Sequence, residues 1–146
     1  MKRVKVLFIC IHNSARSQMA EAFLNDMAGD KFEAHSAGIE PGDLNPLVVN
    51  SMQEIGIDIS HKSTQSVFDV YKRGEMFEYV VAVCEKEAAE RCPVFPGAAK
   101  IIQWSFANPS KFQGTKEEKL KKISKVRDEI KEKVSKFIRN YLEVNF

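Results

Sequence analysis

The chain has 146 residues, which suits one domain, 1–146, with a real core. Hydrophobic residues make up 44% and charged residues 29%, the balance of a soluble globular protein, and a net charge of +2 is too small to argue for nucleic acid. The basic excess is local: between Lys116 and Arg139 there are ten Lys or Arg against five Asp or Glu, so the remainder is slightly acidic. The apolar run Val6–Ile9 is too short for a signal peptide and no segment is long enough to span a membrane, so a cytoplasmic protein with no membrane partner is expected. Three cysteines, Cys10, Cys84 and Cys92, in that setting favour catalytic or redox thiols over a disulfide framework.

Taken in order, Val4–Ile9 reads as a first strand, and Ser17–Ala28 as a helix with Met19, Ala20, Phe23, Leu24 and Met27 on one face. Gly29 stops it, and residues 32–36 read as a second strand that Ala37-Gly38 ends. Asn45 and Pro46 mark the N-cap and first position of a second helix, whose apolar face carries Val48, Val49, Met52 and Ile55 and which Gly56 closes. Ser63 or Ser66 caps a short helix containing Val67, Phe68, Val70 and Tyr71. Tyr79–Val83 is a third strand, Glu85–Arg91 a helical turn stopped at Cys92-Pro93, and Ile101–Trp104 a fourth strand followed by a loop, Phe106–Ser110. A long helix closes the chain from Lys116 to Leu142, with Leu120, Ile123, Val126, Ile130, Val134, Phe137 and Tyr141 as its buried stripe. Strands alternating with helices predict an α/β fold: an open, parallel four-stranded sheet flanked by helices on both faces. Ligands of such sheets bind at the carboxyl ends of the strands, which places Cys10, Cys84 and Asn108 on one rim.

The stretch Cys10-Ile11-His12-Asn13-Ser14-Ala15-Arg16-Ser17 joins the first strand to the first helix. A loop that begins with a thiol and ends with a guanidinium suits a tetrahedral oxyanion. Its backbone N–H groups, from Ile11 through Arg16, can converge on the anion, and the helix N-terminus adds partial positive charge. The Arg16 fork can grip two oxygens, and the same positive field lowers the pKa of Cys10, whose thiolate is the nucleophile. Ser17 can donate a hydrogen bond to that thiolate, and His12 adds charge if protonated. A phosphatase would then need a general acid and a water; a reductase would need a second thiol. Cys84 sits on the rim to supply one, and Cys92, eight positions on, can attack Cys84 in turn. A zinc site is not expected, because no Cys-x-x-Cys spacing is present. His35 and His61 read as structural or exposed.

Cys10–Ala22 resembles the signature of the thioredoxin-coupled arsenate reductases, which share the low-molecular-weight tyrosine phosphatase fold, and Ser36-Ala37-Gly38, Asn45-Pro46, Gly56–Ser60, Val83-Cys84, Cys92-Pro93 and Gln113–Thr115 match in order and spacing. The anion loop alone is shared with the phosphatases; Ser17–Glu21 and the two later cysteines point to the reductases. The resemblance implies an arsenate reductase that uses no cofactor, and a monomer is expected. Cys10 forms an adduct with arsenate, Cys84 attacks Cys10, Cys92 attacks Cys84, and thioredoxin reduces the Cys84–Cys92 bond. Arg16 and the loop amides hold the oxyanion (arsenate, phosphate or sulfate) throughout.

Three positions depart from the family pattern. Asn108 stands where the family has an acidic residue, and an amide cannot donate a catalytic proton. The segment between Cys84 and Cys92 is one residue longer than usual. Some members bind potassium through Asn, Glu, Ser and Asp side chains; Asn13, Glu21 and Ser36 match, but Gln65 replaces the Asp, so no potassium site is expected. The alternatives are a low-molecular-weight tyrosine phosphatase working through a Cys10 phosphoenzyme, and a non-catalytic anion-binding or thiol-sensing protein.

Overall fold

The computed structural model describes residues 2–84, 90–93, 95 and 100–145. In chain order the elements are β1 (Val4–Cys10), α1 (Arg16–Ala28), β2 (Phe32–Gly38), α2 (Pro46–Gln53), α3 (Val67–Lys72), β3 (Tyr79–Ala82), β4 (Lys100–Gln103), a 3-10 turn at Pro109–Lys111, and α4 (Lys116–Asn145). The strands lie in the order β2-β1-β3-β4, and every pairing is parallel. The carboxyl ends therefore share one edge, as expected. The predicted turn over Glu85–Arg91 falls mostly outside the described residues.

Both faces of the sheet are covered. Side chains alternate along a strand, and the register aligns Val6, Ala34 and Tyr79 on one face and Leu7, His35 and Val80 on the other. On the first face Phe32 and Tyr79 meet Phe137 and Tyr141 of α4, with ring centroids 5.1 to 6.3 Å apart, and Phe8 and Trp104 continue the cluster. On the second, His35 meets Phe77 edge to face, Phe77 meets Phe95, and Phe95 meets Tyr71 of α3. β2 is an edge strand, and α1 covers its exposed backbone: the Asn25 side chain accepts from Ala34 N at 2.9 Å and donates to Ala34 O at 3.1 Å.

The capping signals hold. The Asn45 side chain accepts from Leu47 N, and Ser66, not Ser63, caps α3 by accepting from Phe68 N. Two apolar positions do not go where periodicity put them. Met27 is 38% exposed, because the buried row of α1 drifts to Ala28. Ile55 is 37% exposed, because α2 ends at Gln53. There Gly56, at φ +81°, turns the chain, and Ile57 N returns to Met52 O. The Trp104 amide still pairs with Ala82 O at 2.7 Å, so the ladder runs one residue past β4. No helix among the described residues is long and apolar enough to cross a membrane.

The contrast between covered and exposed positions is measurable. Phe32→Ala, at a fully buried ring, is expected to cost about 3–5 kcal/mol in urea unfolding, whereas Ile55→Ala should fall within about 0.5 kcal/mol of wild type.

Candidate active site

The turn at residues 11–15 is shaped by what binds its carbonyls. The amides of Ile39, Glu40, Gly42 and Asn45 donate to the carbonyls of Cys10, Ile11, His12 and Ser14 at 3.0, 2.7, 2.9 and 2.9 Å. Among the described residues, the N–H groups of Ile11, His12, Asn13, Ser14 and Ala15 donate to no backbone carbonyl. A loop with its acceptors bonded outward and its backbone donors facing no carbonyl, set before a 13-residue helix, has the geometry expected of an anion cradle. Close approach makes this possible. A Cβ at Gly38 would stand 2.8 Å from Ile11 O and 2.9 Å from Asn13 N, so only glycine lets β2 run this near the loop.

Asn13 adopts φ +56°, the left-handed conformation that Asn tolerates better than most residues, and it is fully buried. Its carbonyl accepts from Gln18 Nε2 at 3.1 Å, its Oδ1 accepts from Gln65 N at 3.1 Å, and its Nδ2 donates to Ser17 Oγ at 2.8 Å. Ser17 thus keeps its own hydroxyl hydrogen to donate. Arg16 is buried, and its Nη1 donates to Phe106 O at 3.1 Å, which ties the anion loop to the loop after β4. His12 is exposed, with Nδ1 2.9 Å from the Glu40 carbonyl. A carbonyl can only accept, so Nδ1 carries the hydrogen that this contact uses.

None of the three cysteines is joined in a disulfide. Cys10 ends β1, and Cys84 follows β3, the strand beside it; Val83 N donates to Ile9 O at 3.0 Å, so the two cysteines terminate neighbouring strands on the same edge. Both are buried. The Gln103 side chain donates to Cys84 O at 2.5 Å. Cys92 is half-buried, and its Sγ lies 3.5 Å from the Pro93 carbonyl. Burial pushes its pKa up to about 11, so at neutral pH it is a thiol rather than a thiolate. Its neighbour Arg91 pairs with Glu40 at 2.9 Å, which places the Cys92 segment against the same 39–45 stretch that binds the loop carbonyls. Asn108 lies in the loop after β4, where its Oδ1 accepts from Ser110 N at 3.0 Å and starts the 3-10 turn.

Behind the loop lies a polar cluster. Glu21, 4% exposed, accepts from Ser36 Oγ at 2.5 Å and pairs with the Lys62 ammonium. The Gln65 side chain donates to Ser36 O at 2.9 Å. This set does not fit the potassium site found in some members of the resembled family: an ammonium already sits on the carboxylate, and Gln65 presents a donor to the Ser36 carbonyl where an anion would be needed. Burial pulls the pKa of Lys62 below the ordinary lysine value. Among the described residues no group of three or more His, Cys, Asp or Glu is placed to hold a metal ion.

The sequence reading located the loop, Arg16, Ser17 and the strand-end cysteines. It did not single out Gln18, Lys62 or the part played by residues 39–45. Gln18 is a polar residue with helical spacing to none of the apolar positions, and only its burial marks it.

A parallel sheet with a Cys-to-Arg loop on its first crossover defines a class of phosphatase-fold proteins. Within that class the chain belongs to the low molecular weight phosphotyrosine protein phosphatase family, whose model matches residues 5–145. An arsenate reductase of Shouchella clausii is 40% identical over 138 residues, covering 94% of this chain and 96% of that protein. An arsenate reductase solved in its phosphate-binding state superposes with a TM-score of 0.76 at 26% identity, covering 94% and 98% of the two chains. A thioredoxin-dependent arsenate reductase of Corynebacterium glutamicum superposes with a TM-score of 0.63 at 28% identity, over 91% of this chain and 62% of that one.

Two outcomes follow from the geometry. Gly38→Ala should weaken inorganic phosphate binding at least about tenfold by calorimetry, since the loop backbone must move to admit the methyl group. Iodoacetamide labelling of the Cys92 peptide, read by mass spectrometry, should stay slow to pH 9 and rise towards pH 11 in the folded chain, but titrate near 9 in urea. The folded value is the raised one, so the stability this burial gives is whole below pH 9 and is lost as pH rises through about 11.

Proposed function

We propose that the chain reduces arsenate to arsenite through a three-thiol relay and is returned to its reduced form by thioredoxin. The observation that carries this reading is the placement of Cys10 and Cys84 at the ends of adjacent parallel strands around an anion cradle. The arsenate reductases among its relatives, and the thioredoxin-dependent one among its structural neighbours, support it.

The Cys10 thiolate attacks As(V), forming a sulfur–arsenic bond as hydroxide leaves and is protonated to water. Ser17 and the loop field favour the thiolate, and Arg16 with the amides of residues 11–16 holds the oxygens. Cys84 then attacks the Cys10 sulfur. The S–As electron pair goes to arsenic, As(III) leaves as arsenite, and a Cys10–Cys84 disulfide remains. Cys92 attacks Cys84, releasing Cys10 as thiolate and leaving Cys84–Cys92, which the thioredoxin dithiol reduces. The high pKa of resting Cys92 makes it unreactive until its segment leaves the half-buried position. Such a relay calls for a reducing compartment, and we assign the protein to the cytoplasm, where thiols are kept reduced.

The family's phosphatase chemistry is the weaker reading for this chain. It needs a proton for an alkoxide or phenoxide leaving group, and Asn108, with its oxygen engaged by Ser110 N, offers only amide hydrogens. Arsenate brings its own protons and is less affected.

In an assay of NADPH consumption with arsenate, thioredoxin and thioredoxin reductase, wild type should turn over repeatedly and Cys92→Ser should stall after one turnover; full activity in the variant would refute the relay. Asn108→Asp should raise p-nitrophenyl phosphate hydrolysis by about 100-fold, the worth of a positioned general acid, with arsenate reduction changed only a few-fold.

A further inference from the structure

The Glu21–Lys62 pair lies outside the groups that would touch arsenate, yet three hydrogen bonds from residues 63–65 connect it to the loop that would and to that loop's supports. Residues 62–65 form a strap across the back of the anion loop. Lys62 Nζ binds Glu21 of α1, and Ser63 O accepts from Gln18 Nε2 at 3.2 Å. Thr64 Oγ1 donates to Gly42 O at 2.5 Å, and Gln65 N donates to Asn13 Oδ1 at 3.1 Å. The strap thereby holds both the strained Asn13 and the 39–45 stretch that turns the loop carbonyls outward. Gln65 O also accepts from Gly38 N at 2.8 Å, beside the closest approach of β2 to the loop.

Glu21 is the difficulty in this arrangement. It sits five residues into α1, the helix whose N-terminus would face a multiply charged anion, and it is nearly fully buried. A buried carboxylate with no counter-charge is costly, and it repels an anion through low dielectric. Something positive must stay on it. The carboxylate, Lys62 and Ser36 border one cavity of about 370 Å³ that is also lined by His35 of β2 and by His61, the residue before the strap. His35 is engaged by Glu33, 2.7 Å from its Nε2, and His61 is exposed. The group the structure places on Glu21 is the tethered ammonium.

We infer that Lys62 is a built-in counter-cation and positioning residue for the oxyanion site: by neutralising Glu21 and pinning residues 62–65, it holds the anion loop ready for its ligand without a dissolved cation. The inference rests on reading residues 10–16 as the oxyanion site, but not on reduction, so it is tested with inorganic phosphate.

Phosphate affinity by calorimetry and Cys10 alkylation rate against pH are measured for wild type, Lys62→Met and Lys62→Arg, in sodium chloride and in methylammonium chloride of equal ionic strength. The expected result is a loss of about tenfold in affinity for Lys62→Met in sodium, with an upward shift of the Cys10 alkylation profile. Methylammonium should restore both, because it returns the ammonium without the tether. Lys62→Arg should stay within about threefold of wild type, and wild type should not respond to the choice of cation. If reductase turnover is measured alongside, the loss should fall on KM rather than kcat. Should Lys62→Met fold poorly, the Glu21→Gln/Lys62→Met double variant removes both charges and should recover affinity relative to the single variant. Unchanged phosphate affinity in Lys62→Met, or a loss that neither methylammonium nor the double variant repairs, would overturn the proposal. Absence of phosphate binding in wild type would instead sink the oxyanion reading beneath it.

Discussion

Four peptide carbonyls, those of Cys10, Ile11, His12 and Ser14, are bonded away from the rim by the amides of residues 39–45, and the rest of the site depends on that constraint. A loop cannot offer its N–H groups to a ligand while its C=O groups compete for the same space. The sheet meets the requirement by laying β2 in parallel register beside β1, so that Cys10 stands opposite Gly38 and the chain leaving β2 runs along the loop. The missing side chain at Gly38 sets the distance, and Asn13 supplies the one left-handed non-glycine turn among the described residues. Arg16 then fastens the assembled loop to the far side of the sheet through Phe106. The cleft is therefore a product of strand order as much as of the residues that line it.

Much of this was legible in the sequence because it is written in local terms. Asn45-Pro46, the stripe of α4 and the β-rich run before Cys84 each carry their signal within a few residues, and each element formed close to its expected bounds. The alternation of strands and helices then forced Cys10 and Cys84 onto one edge. What failed was of two kinds. At Met27 and Ile55 a helical repeat was carried past the point where the helix turned or stopped, and a change of a single position decides which residue is covered. Gln18 and Lys62 were missed for another reason: their meaning lies in partners far along the chain, at Ser63 for one and Glu21 for the other. A buried polar side chain on a helix looks in sequence like any solvated one. Gln65 was read as a lost ligand, whereas its amide binds the Ser36 carbonyl and so takes part in the packing itself.

Asn108 shows how one atom separates chemistries on a shared frame. The side chain serves its loop as a cap, a task an aspartate performs equally well, so the local fold gives no reason for the amide. The difference is felt only by a leaving group that needs a proton. The proposed cradle, lacking that acid, is suited to chemistry in which electrons, rather than an ester bond, are what changes hands.

The half-buried state of Cys92 also bears on survival of the protein under oxidative stress. Peroxides and other small oxidants react with thiolates, and a sulfur whose pKa stands near 11 presents almost none at neutral pH. The same burial that makes it a poor nucleophile keeps it off the path to sulfinic and sulfonic acid. Of the three sulfurs it is the least enclosed by the core, and so the one that most needs chemical rather than steric protection.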